Sequence, residues 1–364
     1  MPKIVHAADF HLDSAFGGLP TEKARERRRE ARDMVDRLAD LVLAERAELV
    51  LLSGDLFDGD RVYPETLDRL RAALARMACP VFIAPGNHDP CTARSPYERQ
   101  VWPDNVRIFR KERMTSMALP ALGCAVHGAA FTGPGRTDQI LEGFTAAQDG
   151  LAHLVCLHGD AEALDSRYGP ITREQIASCG AAYLALGHVH QFGGVQRRGD
   201  TAWAYPGCPE GRGFDELDDK GVLVGSVDRS GADLRFVPLC RRRYRILRPD
   251  VTDLSPLEAV EAVLPPSADR DVCRVIFTGE IGEDGLDLPA LESALRDRFY
   301  HLELRDQTRP AQSLWTRAGE DSLRGVFLRE MRTRYDAAST EEEREQVSRA
   351  VRFGLAALEG RDMG

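Results

Sequence analysis

Five short apolar runs in the first half of the chain are each followed at once by aspartate, asparagine or histidine. Residues 4–8 lead into Asp9 and His11, and residues 49–53 into Gly54, Asp55 and, three residues on, Asp58. Residues 81–85 lead into Gly86, Asn87, His88 and Asp89, residues 154–157 into His158 and Gly159, and residues 183–186 into Gly187, His188, Val189 and His190. Helical patterns separate the first three runs. Met34, Leu38, Leu41 and Val42 make one apolar face in the stretch beginning at Thr21, and Leu67, Leu70, Leu74 and Met77 make another behind Pro64. This β-α-β-α-β order predicts a parallel sheet with right-handed crossovers. Residues 154–157 and 183–186 are expected to continue that sheet, with a short helix from Thr172 between them and Gln175 as its capping-box partner.

Parallel strands end at one sheet edge, where open α/β sheets bind ligands. Asp9, His11, Asp55, Asn87, His158, His188 and His190 would therefore converge, and with His88 they include five of the nine histidines of the chain. A single strand-end Asp or His is usually a turn or capping residue; five such ends in succession carry far more weight. Mixed oxygen and imidazole donors suit two first-row divalent ions, with Mn²⁺, Fe²⁺ and Zn²⁺ all reasonable. No cysteine belongs to the set, which argues against a structural zinc site. One carboxylate can bridge two such ions ~3.5–4 Å apart. Glycines 54, 86, 159 and 187 allow sharp turns beside them.

Residues 104–131 and 201–239 show successive short strands without helices, which predicts antiparallel hairpins and a second sheet. From Tyr244 to Arg305 the pattern reads strand, helix (Ser255 cap, Pro256 first turn), strand, helix, strand. The tail from about residue 313 reads as helical. One stripe is Leu323, Val326, Phe327, Met331 and Tyr335, another is Val347, Val351, Leu355 and Leu358, and Ser339 and Thr340 with Glu342 and Glu343 start the second helix. The formal net charge of −10 argues against coating nucleic acid by charge alone, though metals and a local basic rim can supply the field at a phosphate. Only four of the 48 basic residues are lysines, a skew that discounts arginine clusters as signals. Arg25–Arg29 reads as a solvated helix face, and Arg241–Arg245, at the junction of the catalytic and cap units, is the better placed of the two runs for DNA contact. His6, His127, His153 and His301 read as structural. Eight scattered cysteines without a CxxC pair predict reduced thiols and a cytoplasmic location. The opening segment does not read as a signal peptide, and no apolar run approaches the ~18 residues that span a membrane.

The segments DFH, GDLFD, GNHD, HG and GHVH resemble the five motifs of calcineurin-like metallophosphoesterases. HAADFHLDSAFGGL and YPGCPEGRGFDE are similar to the YhaO-like branch of SbcD-type DNA repair exonucleases. The resemblance covers the chain to about residue 240 and, less specifically, the unit after it. It implies a four-layer α/β/β/α sandwich over residues 1–242, a small α+β cap over 243–310 and a helical partner-binding region over 311–364. Asp9, His11, Asp55 and His190 would hold one metal, and Asp55, Asn87, His158 and His188 the other. His88 would sit over the scissile phosphate with Asp58, a residue that is His in archaeal and eukaryotic relatives, fixing its imidazole. Cys208 stands where relatives often have Ser and is given no role. The implied activity is a manganese-dependent DNA nuclease in which a hydroxide bridging the metals attacks phosphorus in line and His88 assists the leaving oxygen. The implied partners are DNA and an SbcC-like or YhaN-like coiled-coil ATPase, with a homodimer allowed and no membrane. Two rival readings are a small-substrate phosphoesterase of the same superfamily, acting on nucleotides or phosphoproteins, and a non-catalytic scaffold.

Overall fold

The computed structural model describes residues 1–161, 163, 165–281, 285–310 and 315–358. The chain divides into two compact units, Met1–Ile246 with Asp269–Val272, and Leu247–Ala268 with Cys273–Gly364. The first unit begins β1 (Lys3–Ala7), α1 (Thr21–Ala44), β2 (Leu49–Leu52), α2 (Pro64–Arg76), β3 (Val81–Ile83), α3 (Pro96–Arg99) and β4 (Val106–Ile108). It continues with β5 (Thr115–Leu119), β6 (Cys124–Gly128), β7 (Ala152–His158), α4 (Arg173–Ser178), β8 (Tyr183–Gly187), β9 (Gln196–Arg198), β10 (Thr201–Ala204), β11 (Gly221–Asp228) and β12 (Gly231–Pro238).

These strands build two six-stranded sheets, in the orders β12-β11-β1-β2-β3-β4 and β5-β6-β7-β8-β10-β9. In the first, β1 to β4 run parallel and the β11–β12 hairpin joins antiparallel through β1. In the second, β6, β7, β8 and β10 run parallel, with β5 and β9 antiparallel at the edges. The expectation that β7 and β8 extend the sheet of β1 to β3 is thus corrected: they are the centre of the second sheet. The hairpins expected to form that sheet divide between the two. A run buried on both faces looks the same in either sheet, so its apolar pattern cannot say which neighbours it takes.

Side-chain alternation stacks the layers. Ile4, Leu49, Leu51 and Phe82 of the first sheet share a core with Val126, Leu154, Cys156 and Tyr183 of the second. Their chain neighbours Val5, Val50, Leu52 and Val81 point the other way, against Met34 and Leu38 of α1 and Leu70 and Leu74 of α2. Beyond the second sheet, Val155, Leu157, Leu184 and Leu186 pack with Ile176 of α4. The order of layers is helix, sheet, sheet, helix. None of these side chains is more than 1% exposed, and burying each large one contributes about 1.5–3 kcal/mol.

Charged side chains also enter this unit. Arg27, expected on a solvated face, is fully buried, with Glu30 at 2.6 Å and Glu210 at 2.7 Å. Its i,i+3 glutamate looks like a surface partner until Glu210, 183 residues away, supplies a second carboxylate. The run considered for DNA contact is likewise taken up by the chain's own carboxylates. Arg241 and Arg242 pair with Glu30, Arg243 with Asp219, and Arg245 with Asp271.

The second unit follows β13 (Tyr244–Leu247), with α5 (Pro256–Val263), β14 (Val272–Phe277), β15 (Glu280–Ile281), α6 (Leu288–Leu295), β16 (His301–Asp306), β17 (Arg309–Pro310), α7 (Leu323–Ala337) and α8 (Glu341–Leu358). Val260, Val275, Phe277, Leu291 and Leu295 centre its core. A Ser255–Glu258 capping box starts α5, Asp287 caps α6 and Ser322 caps α7. Thr340 accepts from the Glu343 amide ahead of α8. The helices α7 and α8 pack closely, since a Cβ on Gly354 would lie 2.2 Å from the Phe327 ring. Leu328 and Val351 are buried, whereas Leu323 and Val326, drawn into one stripe by spacing, are 72% and 53% exposed. Residues 311–314 and 359–364 of the expected tail lie outside the described residues. Among the described residues no helix is long and apolar enough to cross a membrane.

Candidate metal centre

The loops after β1, β2, β3, β7 and β8 meet at one end of the sandwich. Their backbone departs from what side chains prefer: φ is 57° at Asp9, 44° at His11, 51° at Asp55 and 119° at His188. Such conformations cost on the order of 1–3 kcal/mol each and persist where the surroundings impose them. The amide of Asp9 donates to the Gly54 carbonyl at 3.0 Å and that of His11 to the Asp55 carbonyl at 2.9 Å. Glycine is required at 86, where a Cβ would fall 2.1 Å from Asp55 Oδ1, and at 187, where it would fall 1.9 Å from the Ser53 carbonyl oxygen. Buried Asp89 ties the loops together by accepting from the amides of Gly86 (2.8 Å) and Leu56 (2.7 Å) and from the Tyr97 hydroxyl.

Three groups of ligand atoms result, each within 4.8 Å: Asp9 with His11 and His190, Asp9 with Asp55 and His158, and His11 with Asp58 and His88. Asp55 Oδ2 lies 3.7 Å from His11 Nε2 and 3.5 Å from His158 Nε2, between the two. Asn87 Oδ1 is 2.9 Å from His158 Nε2. Six of the seven expected ligands are thus brought together. His188 stands at the margin: its backbone amide donates to Asp9, its Nε2 lies 3.9 Å from Asp160, and its ring centroid is 5.4 Å from that of His158. Asp58 and His88 lie beside this set, with Asp58 Oδ1 accepting from His88 Nδ1 at 3.2 Å and from His11 Nδ1 at 3.3 Å.

The donor set itself tests for cations. Nδ1 of His11 faces Asp58, that of His158 donates to the Ser53 carbonyl at 3.0 Å, and that of His190 donates to Glu216 at 2.7 Å. Each ring then keeps its lone pair on Nε2. The Nε2 atoms of His11 and His190 face each other at 3.3 Å, and that of His158 faces Asn87 Oδ1. Acceptors this close repel unless a proton or a cation lies between them, and atoms each ~2.1 Å from one ion stand about 3 Å apart when adjacent. Burial pushes His11 down to about 4 and His158 to about 3, which keeps both imidazoles in the neutral, ligating form. Burial pushes the Asp9 carboxyl up to about 8, and nearby Asp55 adds to the rise. A dication would relieve this pressure. Asp58 is held below the usual carboxylate range by His11 and His88, and it raises His88 in turn. The residues fit a pair of divalent ions.

Three contributors escaped the sequence reading. Glu216 and Arg212 both fall in the YPGCPEGRGFDE stretch, which carried resemblance but no assigned role, and Asp160 follows His158 by two residues. Glu216, 2% exposed, orients His190 and is held below the usual range by His190 and Arg212 although burial opposes this. Cys208 is buried with its thiol 3.7 Å from the His190 carbonyl. The histidines set aside as structural behave so where contacts are seen. His6 meets the Tyr183 hydroxyl at 2.7 Å, and His127 lies between Ser116 and His153.

The sequence model of the calcineurin-like phosphoesterases matches residues 2–192, just over half of the chain. The metallophosphoesterase YhaO of Bacillus subtilis is 27% identical over 248 residues, 64% of this chain and 59% of its own length. The DNA double-strand break repair protein Mre11 of Aeropyrum pernix is 26% identical over 254 residues, again 64% of this chain and 59% of its own length. The SbcD component of the nuclease SbcCD of Rhodobacter capsulatus is 30% identical over 141 residues, 37% of this chain and 29% of its own length. The chain therefore spans well under two thirds of the relatives it matches. All five ligand-bearing loops lie within the matched residues, and the chain belongs to the calcineurin-like phosphoesterase family.

Proposed function

We propose that the protein is a metal-dependent phosphodiesterase acting on DNA, a repair nuclease subunit. The observation that carries this reading is a half-exposed imidazole, His88, poised by Asp58 beside two groups of largely buried ligand residues. Asp9, His11, Asp55 and His190 would hold one ion, and Asp55, Asn87 and His158, joined by His188, the other. Bound there, the ions, Mn²⁺ in this reading, would supply Lewis-acid polarisation of a phosphoryl oxygen and a nucleophile at neutral pH. The residues around them do the positioning. Asp55 Oδ1 accepts the His88 amide at 2.9 Å, so a ligand also anchors the loop that carries the acid. Asp58, which accepts from Nδ1–H, favours the protonated ring, and the His88 imidazolium presents Nε2–H to the leaving oxygen. A DNA substrate is favoured by two of the relatives, which are named as a double-strand break repair protein and a nuclease component.

The second unit would act as a cap over 243–310 and a partner-binding region over 311–364, the latter taking an SbcC-like or YhaN-like coiled-coil ATPase. No disulfide joins the eight cysteines among the described residues, which suits a reducing compartment, and we place the protein in the cytoplasm. Purified protein with Mn²⁺ should cleave labelled single- or double-stranded DNA as well as bis-p-nitrophenyl phosphate. Cleavage of the small diester alone would favour a small-substrate phosphoesterase, and cleavage of neither would overturn the reading.

A further inference from the structure

Arg212 stands beside the ligand groups, and the ion pair it makes leaves part of its guanidinium unmatched. Its Nη2 lies 2.7 Å from Glu216 Oε1 and its Nε 3.2 Å from the same atom. Nη2 is also 3.2 Å from His190 Nδ1. That nitrogen already donates its proton to Glu216, so it cannot accept from Arg212; the carboxylate accepts from both. Nη1 has no hydrogen-bond partner among the described residues, and the side chain is 20% exposed.

The loop that carries it is held firmly. Glu210, 2% exposed, accepts from Arg27 Nη2 at 2.7 Å, Arg37 Nη2 at 2.8 Å and the Arg241 amide at 2.9 Å. Arg27 also donates to the Gly211 carbonyl at 2.9 Å. A guanidinium fixed next to residues that fit two dications is electrostatically unfavourable unless another anion arrives. Arginine can serve two anions at once, because its planar fork has separate donor edges.

We propose that Arg212 is a substrate-binding residue whose Nη1 edge takes a non-bridging oxygen of the phosphate at the metal centre, while its Nε/Nη2 edge stays on Glu216. Glu216 is then a positioning residue that acts through His190. This assignment rests on the phosphodiesterase reading for its substrate class, but binding of the anion can be measured apart from turnover.

The test compares wild type with R212Q, R212K and E216Q in the full-length chain. Mn²⁺ stoichiometry and the affinity for inorganic phosphate are measured calorimetrically, and kcat and KM with bis-p-nitrophenyl phosphate. R212Q should keep the wild-type Mn²⁺ stoichiometry, bind phosphate at least tenfold more weakly and lose at least tenfold in kcat/KM. R212K should recover part of the phosphate affinity, because it restores a point charge without the fork. E216Q should instead weaken Mn²⁺ binding by tenfold or more, since His190 loses the partner that orients it. Unchanged phosphate affinity in R212Q overturns the assignment, as does loss of Mn²⁺ in R212Q and R212K to the extent seen in E216Q. Phosphate binding that depends on Arg212 in a protein that cleaves no diester would leave this site standing and remove the phosphodiesterase reading. Diester cleavage with Arg212-independent phosphate binding would do the reverse.

Discussion

Asp58 Oδ1 lies 3.2 Å from Nδ1 of His88, and the same oxygen is 3.3 Å from Nδ1 of His11. One carboxylate therefore serves an exposed imidazole and a buried one that belongs to the ligand set. Removing His88 leaves every ligand atom in place. His88→Ala should lower kcat about 100-fold or more, in the range of a lost general acid, with Mn²⁺ stoichiometry unchanged. Parallel kinetics and metal analysis decide this; loss of metal together with rate would make His88 structural.

Asp58→Asn should behave differently, because it touches both imidazoles. The amide can no longer accept equally well from His11 and His88, so kcat should fall less than in His88→Ala while Mn²⁺ affinity also declines, by about tenfold. A titration of metal against activity reads both effects. A variant with lowered kcat and wild-type metal affinity would show that Asp58 acts on His88 alone.

Asp55→Ala removes the carboxylate between His11 and His158. Occupancy should drop from two ions to at most one per chain, as measured by elemental analysis after desalting. The unfolding midpoint of the wild type should fall on adding a chelator, because cations bound to the native state add roughly 2.7 kcal/mol at a hundredfold excess over Kd. A midpoint indifferent to both chelator and Mn²⁺ would contradict a metal centre here.

Much of this centre was legible in the sequence because ligands at the ends of apolar runs need no tertiary knowledge to be noticed. Parallel strands send their C-terminal ends one way, and Asp9, His11, Asp55 and Asn87 follow from that rule, whereas His158 and His190 reach the same place from strands of the other sheet. Allocation of β7 and β8 to a second sheet was not legible, since Leu154 and Leu184 are as buried as Val50 and carry no mark of their neighbours. Glu216 and Arg212 were hidden for a different reason. They sit in a loop remote in sequence from His190 and without strand periodicity, so only the fold shows that they touch it. Arg27 was misplaced because a buried arginine with an i,i+3 glutamate has the pattern of a surface pair.

His6 gives a pH dependence apart from the metal ligands. Burial lowers it from 6.5 to about 3, with its ring held by Tyr183 and Ser53. The unfolded chain thus binds a proton that the folded chain refuses between those values. Stability is fully present above pH 6.5 and is lost as pH falls, at up to about 1.36 kcal/mol per unit. The other depressed histidines act with the same sign, so the comparison must be with a variant. Between pH 7 and pH 5, wild type should lose about 2 kcal/mol more than His6→Gln in urea unfolding with chelator present. Equal losses would mean that His6 is protonated in the folded protein.

The last expectation concerns the helical pair. Leu328 and Val351 are buried, and Phe327 meets Gly354, so α7 and α8 have an interior of their own. Leu323, Val326 and Phe353 are 72%, 53% and 59% exposed, which leaves apolar surface outside that interior. Helices with one uncovered apolar face commonly dock into grooves or coiled coils. If this surface takes a coiled-coil ATPase, as proposed, its residues should matter for binding and little for folding. Leu323→Glu, Val326→Glu and Phe353→Glu should each change stability by no more than about 0.5 kcal/mol, as exposed substitutions do. Together they should abolish co-purification with the ATPase, while hydrolysis of a small phosphodiester continues at the wild-type rate. Should the triple variant lose several degrees of unfolding midpoint while still binding the ATPase, the surface would be one that stabilises this chain, and the docking assignment would fall.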